Sequence, residues 1–347
     1  MYRAWIDRLW YTQTHLFLRN LLRPLAWVYK NMMSLRRYLY QKNFFKSTRF
    51  SIPVIVVGNI TVGGTGKTQL VIALAALLKE EGYHLGIVSR GYGGSATHTP
   101  TLVSPESLPD LVGDEPILIA MRTECPLVVA KDRVEAVRFL LKNASCDIIL
   151  SDDGLQHYAL ARAIEIAVLN GKRRLGNGLC LPAGPLREAS QRLNEVDFVV
   201  CLGEANPGEY TMESMVEGFF DIMGRERYEA SYFKGKKIHA VAGIAHPERF
   251  FQTLDSLGLA YIPHPFPDHH AFVKQDFAFC DAHSIIIMTE KDAVKCRAFL
   301  NEGAFFLKVS VKIEASFKER LLDRVETLCH HSTLLSYNRI GRDLCPK

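Results

Sequence analysis

No two of the eight cysteines (125, 146, 180, 201, 280, 296, 329 and 345) have C-x-x-C spacing. The chain therefore offers neither the clustered ligands of a zinc site nor the framework of a disulfide-stapled fold. Reduced thiols in a cytosolic protein are the simplest reading. No uncharged apolar run approaches the ~20 residues needed to cross a bilayer. A continuous apolar core followed by a small-residue cleavage site is also missing, so no cleaved leader is expected. Internal repeats are absent. Acid is scarce at the front: residues 1–50 hold ten Lys or Arg but one carboxylate, Asp7, and carry +9 of a net +5, leaving −4 for the rest.

What the front of the chain does have is aromatic and aliphatic bulk. All three tryptophans (Trp5, Trp10 and Trp27) lie there, among Leu16-Phe17-Leu18, Leu21-Leu22 and Phe44-Phe45. A basic, Trp-bearing amphipathic segment fits a helix lying in a membrane interface. It also fits a helix packed on the body with a solvated basic face. A nucleic-acid arm would leave the Leu and Trp content unexplained. Pro24 is expected to kink or divide the helix.

The 347 residues, 48% of them hydrophobic, are enough for two domains with real cores and exclude disorder as the default. From residue 53 onward, short apolar runs alternate with helical patterns. Strands are expected at 53–57, 85–89, 127–130, 147–151, 164–169 and 197–201, and helices at 67–81, 114–122 and 131–142. This alternation predicts an α/β fold with a doubly wound parallel sheet, whose ligands sit at the carboxyl ends of the strands. The Gly-, Ser- and Pro-rich stretch 91–113 reads as a functional loop. Residues 51–205 are taken as a nucleotide-binding domain and 206–236 as a connector. Residues 237–347 are taken as a smaller α/β domain, with strands at 238–242, 284–289 and 305–309 and helices at 247–257, 274–281 and 315–329.

The chemistry concentrates after the first strand, in Thr61-Val62-Gly63-Gly64-Thr65-Gly66-Lys67-Thr68. Glycines let backbone N–H groups turn around a phosphate chain, the Lys reaches the β- and γ-phosphates, and the Thr hydroxyl can ligate Mg²⁺. The helix that follows points its positive end at the same anion. Thr61 stands where the strict P-loop pattern has Gly. A second apolar strand ends in Asp152-Asp153-Gly154, adjacent carboxylates that repel unless a cation or donor lies between them. Ser89-Arg90-Gly91-Tyr92-Gly93-Gly94 allows close backbone approach to a ligand, with Arg90 able to neutralise phosphate. Asp114, in Gly113-Asp114-Glu115-Pro116, reads from pattern as a helix cap. Asp268-His269-His270 pairs an imidazole with a carboxylate, as a general base requires. Thr289-Glu290-Lys291-Asp292 has its Lys one place late for a guanine-reading box, which counts against a GTPase switch.

Together these segments, with Asp152-Asp153-Gly154-Leu155-Gln156-His157 and Leu181-Pro182-Ala183-Gly184-Pro185-Leu186-Arg187-Glu188, resemble the tetraacyldisaccharide 4′-kinases of lipid A synthesis. The resemblance runs from Val56 to about Lys295. Gln69 departs from it, as does Asn170, where the family usually has Pro and an acid. It implies a P-loop NTPase-like domain and a second, smaller α/β domain around a cleft. It also implies ATP and Mg²⁺, and a glycolipid acceptor in the bacterial inner membrane, met at its cytoplasmic face through residues 1–50. Neither nucleic acid nor an obligate protein partner is expected. On this view Lys67 and the backbone of 61–68 hold phosphates, and Thr68 with Asp152 or Asp153 holds Mg²⁺. Asp114 paired with His269 accepts the sugar hydroxyl's proton. Arg187 and Arg90 meet substrate phosphate or developing charge, and Gly91, Tyr92, Gly93 and His157 join Arg90 on the substrate. A membrane-docked, non-catalytic ATP switch shares the P-loop, the acid pair and the basic helix. A soluble small-molecule kinase leaves the first fifty residues unexplained.

Overall fold

The computed structural model describes residues 2–12, 14–95, 99–281 and 283–343, the side chains of 2–4 and 331–343 apart. Two helices, α1 (Tyr2–Tyr11) and α2 (Leu16–Gln41), precede the first strand. The first ends at Tyr11, and the second is entered through His15, whose φ is 63°. Pro24 lies inside α2 without ending it, a correction to the expected division. Proline deletes one helical N–H, but the turns that follow it are held against the body, where Ala26 is buried and Tyr29 packs on the core.

The nucleotide half follows the predicted alternation. It runs β1 (Val54–Gly58), α3 (Lys67–Glu80), β2 (Leu85–Ser89), β3 (Thr101–Val103), α4 (Pro109–Val112), α5 (Asp114–Thr123), β4 (Leu127–Val129), α6 (Arg133–Asn143), β5 (Ile148–Asp152), β6 (Ile164–Asn170) and β7 (Phe198–Leu202). The stretch 91–113 is less loop-like than expected, since it holds β3 and α4; its residues 96–98 lie outside the described residues. β1 is apolar throughout because both its faces are covered. Ile55 and Val57 join the core beneath α3, while Val54 and Val56 join the one beneath α6.

The second half runs β8 (Tyr210–Asp221), β9 (Arg227–Tyr228), β10 (Ile238–Ala242), α7 (Pro247–Ser256), β11 (Ile262–Pro265), β12 (Ile285–Thr289), α8 (Glu290–Cys296), β13 (Ala304–Ile313) and α9 (Ala315–Asp343). Two expectations need correction. The connector 206–236 contains β8, a twelve-residue strand that pairs parallel with β7 and antiparallel with β13. It thereby joins both halves into one sheet of order β11-β10-β12-β13-β8-β7-β6-β1-β5-β2-β4-β3, with β9 on β8. The expected helix 274–281 is a single 3₁₀ turn, Lys274–Phe277. Moreover, α9 sends Phe317, Leu321 and Val325 into the core beneath α3, so the last helix packs on the nucleotide half.

Strand order reverses beside β1, whose neighbours are β5 and β6. At such a switch point the connections leave the sheet in opposite directions and open a crevice at the strands' carboxyl ends. The 59–66 loop and Asp152-Asp153 both emerge there.

Candidate active site

The loop between β1 and α3 is built as a phosphate cradle. Gly66, at the N-cap of α3, has φ 90°, a conformation that a side chain would strain. Thr61 fits where the pattern has Gly because the backbone is extended there. It bridges antiparallel to Leu186, and the Val62 N–H donates to Pro185 O at 2.8 Å. The Pro-Ala-Gly-Pro-Leu-Arg-Glu segment thus runs along the cradle and delivers Arg187 to it.

Lys67 and Arg187 converge on Asp153. Lys67 Nζ is 2.7 Å from Asp153 Oδ1, and Arg187 Nη1 is 3.1 Å from both carboxylate oxygens. Burial alone would raise the Asp153 pKa, but the charges of Lys67 and Arg187 hold it far below the carboxylate range. Lys67 Nζ also reaches Asn59 Oδ1 at 3.2 Å. The buried Asn59 in turn donates to Thr65 Oγ1 at 3.2 Å, stapling the cradle shut. The Thr68 hydroxyl has no hydrogen-bond partner among the described residues and is free for a ligand.

Asp152 is buried, accepts a hydrogen bond from Ser89 Oγ at 2.9 Å, and has its pKa pushed up to about 6 by burial and then by the charges of Glu115 and Asp153. A buried carboxylate with two more carboxylates in its field is a site that a cation would relieve. Among the described residues no group of three or more His, Cys, Asp or Glu is placed to hold a metal by itself. A site of one or two carboxylates and a hydroxyl, completed by phosphate oxygens, is the kind Mg²⁺ takes. Arg133, fully buried behind the pair, donates to Asp152 O at 3.2 Å and Ala130 O at 2.9 Å, which fixes the strand end.

Asp114 opens α5. The N-cap position belongs to Gly113, so the capping role expected for Asp114 is corrected: its Oδ1 accepts only the adjacent Glu115 N–H, at 2.8 Å. Its other oxygen faces the second half of the chain, with His269 Nδ1 at 3.2 Å and the ammoniums of Lys291 and Lys295 each at 3.8 Å. Burial works to raise the Asp114 pKa, but the His269 hydrogen bond and the lysine charges outweigh it, and the group stays an ionised base. Tyr92 stacks obliquely on His269, ring centres 5.3 Å apart. Gly113 lets this corner close: a Cβ there would lie 2.6 Å from Tyr92 O. Gly91 and Gly93 carry this loop, and Arg90 projects into solvent with no ion partner among the described residues.

His157 is placed elsewhere. Its Nε2 accepts the Arg133 N–H at 3.3 Å, at the start of α6, and burial together with the Arg133 charge brings its pKa down to about 4. It holds a helix end in place of an anion. Asn59, Glu115, Arg133 and the two lysines escaped sequence reasoning. Gln156 and Glu188 did as well: Gln156 Nε2 bonds Asn59 O at 3.1 Å and Glu188 Oε1 at 2.6 Å, tying three motifs together. For Glu115, Gln156 and Glu188 the one available signal is that each adjoins a residue already singled out; Arg133 and Lys295 have none.

Residues 18–326 match the family model for LpxK, tetraacyldisaccharide-1-P 4′-kinase. The chain is 47% identical over 330 residues to a tetraacyldisaccharide 4′-kinase of Methylobacillus flagellatus, covering 94% of this chain and 97% of that protein. It is 46% identical to the enzyme of the same name from Nitrosococcus oceani, covering 94% and 95%. Among solved structures it is similar to the "apo" form of LpxK from Aquifex aeolicus in complex with ATP. That match has a TM-score of 0.77 and 30% identity, and covers 90% of this chain and 99% of that one.

Proposed function

The chain belongs to the tetraacyldisaccharide 4′-kinase family, and from that premise we infer which of its residues perform the transfer. The reaction moves the γ-phosphate of ATP to the 4′-hydroxyl of tetraacyldisaccharide 1-phosphate, in lipid A biosynthesis. Family membership decides for this lipid kinase over a non-catalytic switch or a soluble kinase. The observation that carries the residue assignment is that the P-loop lysine and a buried carboxylate–imidazole pair lie at one strand-end crevice. Lys67 is bound to Asp153, while Glu115, next to Asp114, lies in the field of Asp152.

Backbone amides of 61–68 cradle the phosphates, and Lys67 leaves Asp153 to meet them. Mg²⁺, when bound, would lie on Thr68 and Asp152 and neutralise phosphate charge. Arg187 stands beside Lys67 to offset charge on the transferring group. Asp114 accepts the acceptor hydroxyl's proton, and His269 orients it and shares the proton. Little covalent chemistry is asked of the protein, so positioning and electrostatics supply most of the rate.

The first fifty residues bring the enzyme to its lipid. Along α2 the side chains of Phe17, Leu21, Leu25, Val28, Met32 and Leu35 are all exposed at spacings of three and four, one apolar stripe down the helix. Among the described residues no helix is long and apolar enough to cross a membrane. A solvent-facing apolar stripe with basic neighbours suits a helix lying in the interface. The cytoplasmic face of the inner membrane is the surface this reading implies.

The test is transfer of labelled γ-phosphate from ATP to tetraacyldisaccharide 1-phosphate in mixed detergent micelles. A bisphosphorylated lipid formed by the wild type and lost with Lys67→Ala is the expected result. No product from folded, ATP-binding wild type would overturn it.

A further inference from the structure

A second group of cations stands over the cradle, outside the machinery described above. His246 is buried at the start of α7, and its Cδ2 lies 3.8 Å from where a Cβ on Gly64 would be. The N-terminus of α7, from the second half of the chain, therefore sits against the P-loop, and no side chain caps it. Arg173, in the loop after β6, contacts the same imidazole through Nη1. Its Nη2 lies 2.6 Å from Asp7 Oδ1, and its guanidinium carbon 3.8 Å from the centre of the Tyr11 ring. Arg173 is thus pinned between α1 and α7. Arg249, in the first turn of α7, is different: among the described residues its guanidinium makes no hydrogen bond or ion pair.

The local acids do not answer for it. Asp7 is engaged by Arg173, and the largely exposed Glu248 pairs with His246 Nδ1 at 3.0 Å. Two guanidiniums in one another's field, Arg173 on the imidazole that packs against Gly64, and Arg249 in the first turn of α7, with Arg249 lacking a counter-ion among the described residues, form an arrangement that an anion would stabilise. Burial and the Arg173 charge together pull the Arg249 pKa below its ordinary value, as repulsion between them requires. A guanidinium fork suits phosphate oxygens, and the positive end of α7 adds to its field, although Pro247 has no N–H and the Arg249 N–H is taken by His246 O at 3.2 Å.

We propose that Arg249, backed by Arg173 and the N-terminus of α7, is a clamp from the second half of the chain on the phosphate chain of the nucleotide in the P-loop. The proposal rests on the kinase reading and adds the group that ties nucleotide binding to the second half. The same phosphate chemistry is carried by the glycolipid's 1-phosphate, and the two sources separate by experiment. Arg249→Gln and Arg249→Lys would be assayed for KM toward ATP and toward tetraacyldisaccharide 1-phosphate, beside wild type and Lys67→Ala. Equilibrium ATP binding and thermal melting would be measured on the same samples. Melting should not fall, because the side chain has no hydrogen-bond or ion partner to lose and Arg249→Gln relieves its repulsion with Arg173.

The expected result is a fall of about 10- to 100-fold in kcat/KM for ATP with Arg249→Gln, the range of one charge-assisted contact. Arg249→Lys should recover part of it, and KM for the lipid should stay within about twofold. A rise confined to KM for the lipid would overturn the nucleotide clamp and give the contact to the 1-phosphate. Unchanged constants for both substrates would overturn the anion site altogether. Absence of transfer by wild type would instead strike the kinase reading, so the two failures are distinguishable.

Discussion

Lys67 Nζ lies 2.7 Å from Asp153 Oδ1, so the P-loop lysine rests on a carboxylate that also holds Arg187. Asp153→Asn keeps the shape and removes the charge. Both cations then face the cradle without a counter-ion, so ATP should bind as tightly as in wild type or more tightly. Turnover should fall by about 10²–10³, because the ammonium and guanidinium are no longer held in line with the charge that develops on the transferring phosphate. Titration calorimetry and steady-state kinetics read the two separately. Weaker ATP binding would show that Asp153 positions the lysine rather than restraining it.

Asp114 and His269, 155 residues apart in sequence, meet at 3.2 Å. Asp114→Asn should lower kcat by about 10²–10⁴, the usual worth of a general base, with ATP affinity and melting temperature close to wild type. Lys291→Met removes a cation 3.8 Å from the carboxylate. Since that cation lowers the Asp114 pKa, the acid limb of the kcat profile should move to higher pH. Near-normal turnover by Asp114→Asn, or a limb moving to lower pH in Lys291→Met, would contradict the assignment.

The two halves were not equally legible. β1, β2, β5 and β6 announce themselves because both faces of the sheet are covered, which makes each a short apolar run. β8 does not: residues 213–216 are exposed and Gly218, at φ 132°, interrupts the strand, so its pairing with β13 is visible only in three dimensions. The site divides the same way. Lys67, Thr68, Asp152 and Asp153 follow from local spacing, because strand, loop and helix fix their geometry. Asp114 with His269, and Arg173 with His246, join distant segments, and no local pattern encodes such a contact. The first of these pairs came from resemblance alone, and the second was missed. The contact of His157 with the start of α6 is equally hidden, because a motif lists neighbours without saying which way each side chain turns.

Asp152 carries a pH dependence of definite sign. Its pKa in the fold is about 6, against about 3.9 for an unperturbed Asp. The folded state therefore holds the extra proton between these values, and stability falls as pH rises through that window. The gap of roughly two units corresponds to about 3 kcal/mol at most. Asp152→Asn keeps an acceptor for Ser89 and carries no charge. It should melt higher than wild type at pH 8, match it near pH 4, and lose transfer. Mg²⁺ with ATP should stabilise wild type more than the variant. Thermal melts at the two pH values, with and without Mg²⁺ and ATP, are the measurement, and equal melting at pH 8 would count against the raised pKa.

The exposed stripe on α2 gives a test independent of catalysis. Leu21, Val28, Met32 and Leu35 are between 56% and 63% exposed and face away from the core, so replacing all four with Ser leaves the fold's packing alone. If each gives even about 1 kcal/mol on entering an interface, below the 1.5–3 of full burial, the set is worth a factor on the order of 10³ in partitioning. Sedimentation with vesicles rich in anionic lipid should show that loss at high and low salt alike, since it is apolar. Replacing the basic residues Arg23 and Lys30 should weaken binding chiefly at low salt, where charges are least screened. Transfer to a short-chain acceptor free in solution should survive both sets, because neither touches the strand-end crevice. If the Ser variant binds vesicles as the wild type does, the stripe is not what holds the enzyme to its lipid.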